Sequence, residues 1–312
     1  MATKNIDNYF FFLPPLDREN DFDPFWEKAV SHMKKIPLEP VFNKAKKQGH
    51  NDFVSHDVSF LSFKKTLIKG KLLIPKKVKK PKVIIYIHDY NTLNRQDHLK
   101  LDKKSAYFFI TLRGHENIEA MMKMDDFVSP GFLAEHILNK DMYYVKDVYL
   151  DVYRSIDMLR LNNELDCSKI GIIGKGLGGA AALFTAAFSK RITALVLESP
   201  SFCYLPLSQN ISTNDATNEI NGFINSSRKN KSTAKKNLTY FDSLNFADKI
   251  NCFVLAITGF KDTKSPPQCI LGLFNHLQCE KNIEIYPDRG NEGGGDEQFQ
   301  KSIKWIIGKI NK

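Results

Sequence analysis

Cysteine is scarce and unpatterned. The 312 residues hold five (Cys167, Cys203, Cys252, Cys269 and Cys279), an odd number with no C-x-x-C pair. This speaks against a disulfide framework or a zinc knuckle and fits reduced thiols in a cytoplasm. No apolar run reaches membrane-spanning length. YFFFLPPL at 9–16 is short and is followed by acidic DRENDFD instead of a small-residue cleavage site, so it is expected to dock on the fold with no membrane role. There is no internal repeat and no Pro- or Gly-rich linker, which points to one domain over 1–312. Acidic residues are outnumbered, 35 against 45 Lys and Arg, for a formal charge of +10. The lysines gather in KKVKKPK (76–82) and RKNKSTAKK (228–236) without interleaved aromatics, a pattern of solvated surface and not of a nucleic-acid groove.

What is present is an alternation. Apolar, β-rich runs occur at 82–90, 106–114, 169–174, 192–199, 252–260 and 282–288, separated by longer segments with helical periodicity. Continuous apolar strands alternating with helices predict an α/β fold, a mostly parallel central sheet with helices on both faces. The stretch 57–75 differs, two apolar runs meeting across short turns, and predicts an antiparallel meander entering the sheet. Within 142–162, Val148, Val152, Ile156 and Leu159 form a stripe that would pack on the sheet. The N-terminal extension (1–56) carries a helix predicted over 25–35, after Asp23-Pro24 as cap and first-turn proline. Residues 208–237 turn polar, a lid-like insertion beyond a strand end.

The segment KIGIIGKGLGGAAALF (169–184) predicts strand, tight glycine turn and helix. Two chemistries use such a turn. Gly174, Gly176 and Gly179 satisfy G-x-G-x-x-G, with Glu198 ending the next strand where a ribose-binding acid would sit, which is the pattern of a dinucleotide site. That fingerprint normally opens its sheet, whereas here a meander and two further strands come first. The alternative is the nucleophile elbow Gly-x-Ser-x-Gly of a hydrolase, whose acid and histidine follow later strands in that order. Asp262, after the strand at 252–260, stands where the acid belongs; Asn291, after the last strand, stands where the histidine belongs; Gly176 stands where the nucleophile belongs.

The ordered motifs resemble the acetyl xylan esterase and cephalosporin-C deacetylase family, carbohydrate esterase family seven of the α/β-hydrolases. DFDPFWEKAV resembles its N-terminal helix, HDY its HGY turn, RGH its RGQ turn and MYYVKDVYLDVYRSID the helix before the elbow; LTYFDSLNFADKI, GFKDTKSPPQ and YPDRGNEGG continue the likeness. The family's G-G-S-Q-G-G is Gly174-Lys175-Gly176-Leu177-Gly178-Gly179 here, and its G-H-E-G-G is Gly290-Asn291-Glu292-Gly293-Gly294. The HGY glycine is Asp89, a carboxylate whose charge would oppose an incoming oxyanion. The resemblance implies oxyanion donors in the backbone N–H groups of Tyr90 and Leu177, an acetylated sugar-like ligand, no cofactor and a ring-shaped homo-oligomer.

Serine-type ester hydrolysis needs a hydroxyl to attack, an imidazole to carry its proton and a carboxylate to hold the imidazole. Glycine and asparagine supply neither of the first two. A relocated site could draw on Ser199, Ser201 or Cys203 with His88 or His115, although both histidines sit in turn motifs and His276 reads as a packing residue. The sequence therefore predicts a catalytically degenerate hydrolase fold that binds, scaffolds or regulates. The alternatives are a weak esterase with a relocated nucleophile and a dinucleotide binder.

Overall fold

The computed structural model describes residues 6–46, 49–92, 99–117, 131–226 and 228–312. Residues 1–5 and 47–48 of the N-terminal extension and residue 227 of the polar insertion lie outside these ranges. Among the described residues nine strands form one sheet: β1 (Val41–Lys44), β2 (Phe53–Leu61), β3 (Leu67–Pro75), β4 (Lys82–Ile87), β5 (Ala106–Ile110), β6 (Asp166–Lys175), β7 (Ile192–Glu198), β8 (Phe253–Gly259) and β9 (Lys281–Tyr286). They lie side by side as β1-β2-β3-β5-β4-β6-β7-β8-β9. The first three are antiparallel and β3 runs antiparallel to β5, after which every pair is parallel. The meander is thus β2 and β3. It gains β1, whose four residues VFNK are too short to show an alternation and too exposed to show a core pattern.

Nine helices are described: α1 (Ile6–Phe10), α2 (Phe22–Lys34), α3 (Tyr144–Leu159), α4 (Leu177–Phe188), α5 (Leu205–Ile211), α6 (Asp215–Ser226), α7 (Arg228–Leu238), α8 (Pro267–His276) and α9 (Gly295–Ile310). Both sheet faces are covered, since the continuous apolar runs of β4 and β5 leave no face fit for water. One face packs on α2, α3, α4 and α8; among the described residues α9 covers the other. Trp26 of α2 is fully buried between Tyr149 and Phe184 and donates its indole N–H to the Tyr240 carbonyl at 3.0 Å.

Three expectations change in detail. Helix α2 starts at Phe22 and not at 25, and Asp23 lies inside its first turn with no cap of the expected kind. Packing sets this start, because Phe22 is buried against Tyr240 and Phe246, with ring centroids at 6.2 and 5.2 Å. The polar insertion at 208–237 falls largely within the three helices α5, α6 and α7; Ala216, Ile220 and Ile224, four residues apart, make the buried stripe of α6. The N-terminal segment docks only in part. Phe12 meets Tyr204 edge-on at 5.7 Å, whereas Phe11 is 85% and Leu13 63% exposed.

A buried ion pair fixes the RGH turn to the helix that precedes the elbow. Arg113 reaches Asp147 at 2.9 Å and grips Asp151 through Nε and Nη2 at 2.7 and 2.6 Å, both acids lying on α3. The planar fork suits a bidentate carboxylate, and these acids hold the guanidinium charged against its burial.

Candidate active site

Strand β6 runs into α4 through Gly176, which adopts φ 52°, ψ −119°. A side chain is strongly disfavoured there, and glycine removes that strain. The turn is held by its own backbone. Gly176 donates its N–H to the Glu198 carbonyl at 3.1 Å, and its carbonyl accepts from Gly179, Ala180 and Ser201 at 3.0, 3.2 and 3.0 Å. At Gly178 a Cβ would lie 2.5 Å from the carbonyl oxygens of Ile87 and His88. Its absence lets the end of β4 press against the first turn of α4, which brings the His88-Asp89-Tyr90 turn over the elbow.

Asp89 then does what its position alone did not suggest. Its Oδ1 accepts the N–H of Leu177 at 2.8 Å and the N–H of Tyr90 at 2.7 Å. These are the two donors that the family likeness assigns to an oxyanion, and they converge on a carboxylate of the chain itself. A Cβ built on Gly176 would fall inside that carboxylate, overlapping Oδ1, Cγ and Oδ2. One acidic side chain thus occupies both the donor pair and the space of a side chain at 176. Burial pushes the Asp89 pKa up, opposed by the Leu177 and Tyr90 N–H groups and by the positive charges of Lys175 and Lys264. The sequence predicted electrostatic opposition to an oxyanion; the geometry is direct occupancy.

Asp262, buried after β8, accepts from the N–H groups of Lys264 and Ser265 on Oδ1 at 2.8 and 2.9 Å. Asn291, in the loop before α9, donates its Nδ2–H to Asp262 Oδ2 at 3.1 Å. Both lone-pair faces of the carboxylate are engaged, and the two loops are joined as an imidazole N–H would join them. An amide carries no proton away from a nucleophile, so this contact positions without acting as a base.

The histidine candidates for a relocated site, and Cys203, are committed to backbone contacts. His88 places Nδ1 against the Asp89 carbonyl at 2.7 Å and Nε2 against the Leu112 N–H at 3.1 Å; burial pushes its pKa down to about 4. His115 is used likewise, between the Arg113 carbonyl and the Asn91 N–H, both at 3.1 Å. Each imidazole is therefore a neutral backbone brace. Cys203 turns its thiol to the carbonyls of Pro200 and Ser201 at 3.5 Å, and burial raises its pKa well above that of a free thiol, away from thiolate. Ser201 Oγ is buried without a partner, so no base touches it. His276 reaches the Pro14 carbonyl at 2.6 Å, tying α8 to the N-terminal segment.

The insertion covers this site. Glu219 of α6 accepts from the Tyr90 hydroxyl at 3.0 and 3.1 Å and from the Leu133 N–H at 3.0 Å. Just before the first residue of α6, Thr213 N–H donates to the Thr263 carbonyl at 2.8 Å and Asn214 Nδ2–H to the Lys264 carbonyl at 2.7 Å. One latch holds the Tyr90 turn and the other the Asp262 loop. The cavity beneath, between Ser201, Ser208, Thr217 and Ser265, measures about 20 Å³, room for one water. Glu219 escaped the sequence reading because a lone acid in a polar stretch carries no signal of its target.

The dinucleotide reading also meets this geometry. In that fold a pyrophosphate lies on the helix N-terminus after the glycine turn. Here the Leu177 N–H at that terminus is committed to Asp89.

A family model for acetyl xylan esterase (AXE1) matches residues 6–309. Acetyl esterase Axe7A of Xylanibacter ruminicola is 26% identical over 287 residues, which cover 88% of this chain and 64% of that protein, so the chain spans less than two thirds of this relative. Among solved structures, the acetyl xylan esterase from Paenibacillus sp. R4 superposes with a TM-score of 0.85 at 25% identity, covering 96% of this chain and 99% of the other. Acetyl xylan esterase 1 from Thermoanaerobacterium sp. JW/SL YS485 gives a TM-score of 0.80 at 21% identity, covering 96% and 98%, a likeness of fold. Sheet order, glycine elbow and a match running almost end to end agree: the chain belongs to the acetyl xylan esterase family, on an α/β-hydrolase fold.

Proposed function

We propose that this chain is a non-hydrolysing member of its family, a binding or regulatory protein that keeps the esterase architecture. The observation that carries this reading is the Asp89 carboxylate lying on both oxyanion donors and in the space of a residue-176 side chain. Attack at a carbonyl needs those donors free at the moment charge develops, and removing one such donor costs about 10²–10³ in turnover in a hydrolase. The imidazole's place is taken by an amide. An acetylated sugar-like ligand, if bound, is held without the family's acyl contacts, and the homo-oligomer implied by the family likeness is part of the same proposal.

The test is hydrolysis of p-nitrophenyl acetate and acetylated xylan by the parent, by Asp89→Gly, Gly176→Ser and Asn291→His singly, and by the triple variant. Turnover is expected in the triple variant alone. Restoring serine and histidine without removing Asp89 should fail, because the new side chain and the carboxylate claim one volume. Parent turnover abolished by Ser199→Ala, Ser201→Ala or Cys203→Ala would overturn the proposal in favour of an esterase with a relocated nucleophile.

A further inference from the structure

Beside the filled elbow the carboxyl ends of the parallel strands enclose a second cavity, about 150 Å³. Its lining includes Tyr86 of β4, Lys175 of β6, Glu198 of β7, Glu292, and Asp296 and Phe299 of α9. This is where open α/β sheets take ligands. Nothing in the esterase mechanism uses Glu198, yet it is the odd group of the molecule. Its Oε1 is closed off from solvent and has no hydrogen-bond partner. Burial pushes its pKa up to about 7, with Lys175 the charge that pulls it back.

The wall chemistry selects among ligands. Three carboxyl groups outnumber the one lysine, which disfavours an anion. They are spread around the space, and among the described residues no three His, Cys, Asp or Glu side chains gather as a metal would require. Tyr86 and Phe299, edge to face at 5.7 Å, add ring surface on which an ammonium is attracted electrostatically. A carboxylate with one oxygen sealed from solvent, aromatic rings and further acids in the lining suit a compact organic cation.

We infer that this cavity is a binding site for a small organic amine, its ammonium paired with Glu198 and set against the Tyr86 ring. The inference does not depend on whether the chain hydrolyses esters. A cation beside Glu198 favours its ionised form, so binding near neutral pH expels a proton, and affinity rises from about pH 6 to about pH 8. The other charged or titratable groups lining this space are Tyr86, Lys175, Glu292 and Asp296. Burial raises the Tyr86 pKa, so it stays neutral throughout this range.

The experiment is calorimetry of the full chain with ethylammonium and ethanolamine chloride, and with acetamide as a neutral control, in two buffers of different ionisation enthalpy. The parent is expected to bind the amines and not acetamide, with buffer-dependent heat reporting proton release. Glu198→Gln, close in shape, is expected to weaken binding by about tenfold or more, a change of 1.4 kcal/mol. Asp288→Asn, an exposed carboxylate outside the cavity, should leave it unchanged. Melting curves of each variant check folding, and proton release by the parent tests the inference even if Glu198→Gln unfolds. Equal affinity in Glu198→Gln, equal binding of acetamide, or no amine binding up to about 50 mM, far above the millimolar affinities a small pocket reaches, would overturn it and leave a water-filled cavity.

Discussion

The Asp89 carboxylate and the α-carbon of Gly176 are so close that only a hydrogen can project from the latter. The residues are far apart in sequence, but the β4 turn and the elbow bring them together, and the same carboxylate is fastened by the Leu177 N–H. Their identities are therefore coupled. Gly176→Ala combines a strained backbone, about 1–3 kcal/mol, with overpacking, about 1–3 kcal/mol. In an Asp89→Gly background the second part disappears. A double-mutant cycle by urea unfolding should show the pair costing less than the sum of the singles, while strict additivity would mean the carboxylate moves aside freely.

Removing Asp89 also frees two aligned donors. Asp89→Gly is expected to gain a site for acetate that the parent lacks. Amide resonances of Leu177 and Tyr90 should move with added acetate in the variant and stay still in the parent. Shifts of equal size in both would show that the carboxylate does not block the pair.

Two acids, buried Asp242 and half-buried Glu198, give stability a pH dependence of definite sign. Burial pushes Glu198 and Asp242 up to about 7, from ordinary values of 4.5 and 3.8; for Asp242 this is despite N–H bonds from Tyr204, Leu205 and Leu244. Between the unfolded and folded pKa values the native state holds the extra protons, so these two groups make stability fall as pH rises from about 4 to about 7 and then level off. Denaturant midpoints across that range should show the slope, and Glu198→Gln should flatten it. A slope unchanged by Glu198→Gln would place the titration elsewhere.

The two latches of α6 should open unequally. Glu219→Ala removes the acceptor of the Tyr90 hydroxyl and the Leu133 N–H, while the Thr213 and Asn214 contacts to the 263–264 carbonyls stay. Faster amide exchange is expected around Glu219 in α6 and at Leu133, with protection kept at Thr213. Uniform protection across α6 would mean that its buried stripe, Ala216, Ile220 and Ile224, carries the lid alone.

Much of this architecture is legible without coordinates because it rests on local pattern. The runs VIIYI and AYFFI are apolar throughout since both sheet faces are covered, and the elbow, Asp262 and Asn291 could be located because each follows a strand end. Short β1 and the early start of α2 were not legible, one lacking pattern and the other set by the contact of Phe22 with Phe246. The contents of the site were also hidden. An aspartate at 89 reads as a repelling charge until the turn geometry puts its Oδ1 on the donors, and a glutamate at 219 reads as lid surface until it meets Tyr90.

The crowding at the elbow also imposes an order on substitution. From the present pair to glycine at 89 and serine at 176 there are two single-step routes. Introducing serine first forces a carboxylate and a hydroxymethyl group into one volume, an intermediate penalised in folding. Removing the aspartate first vacates that volume and leaves two N–H groups open. The passable route therefore empties position 89 before a side chain is added at 176, and while the carboxylate stays it stands as a barrier to any side chain there.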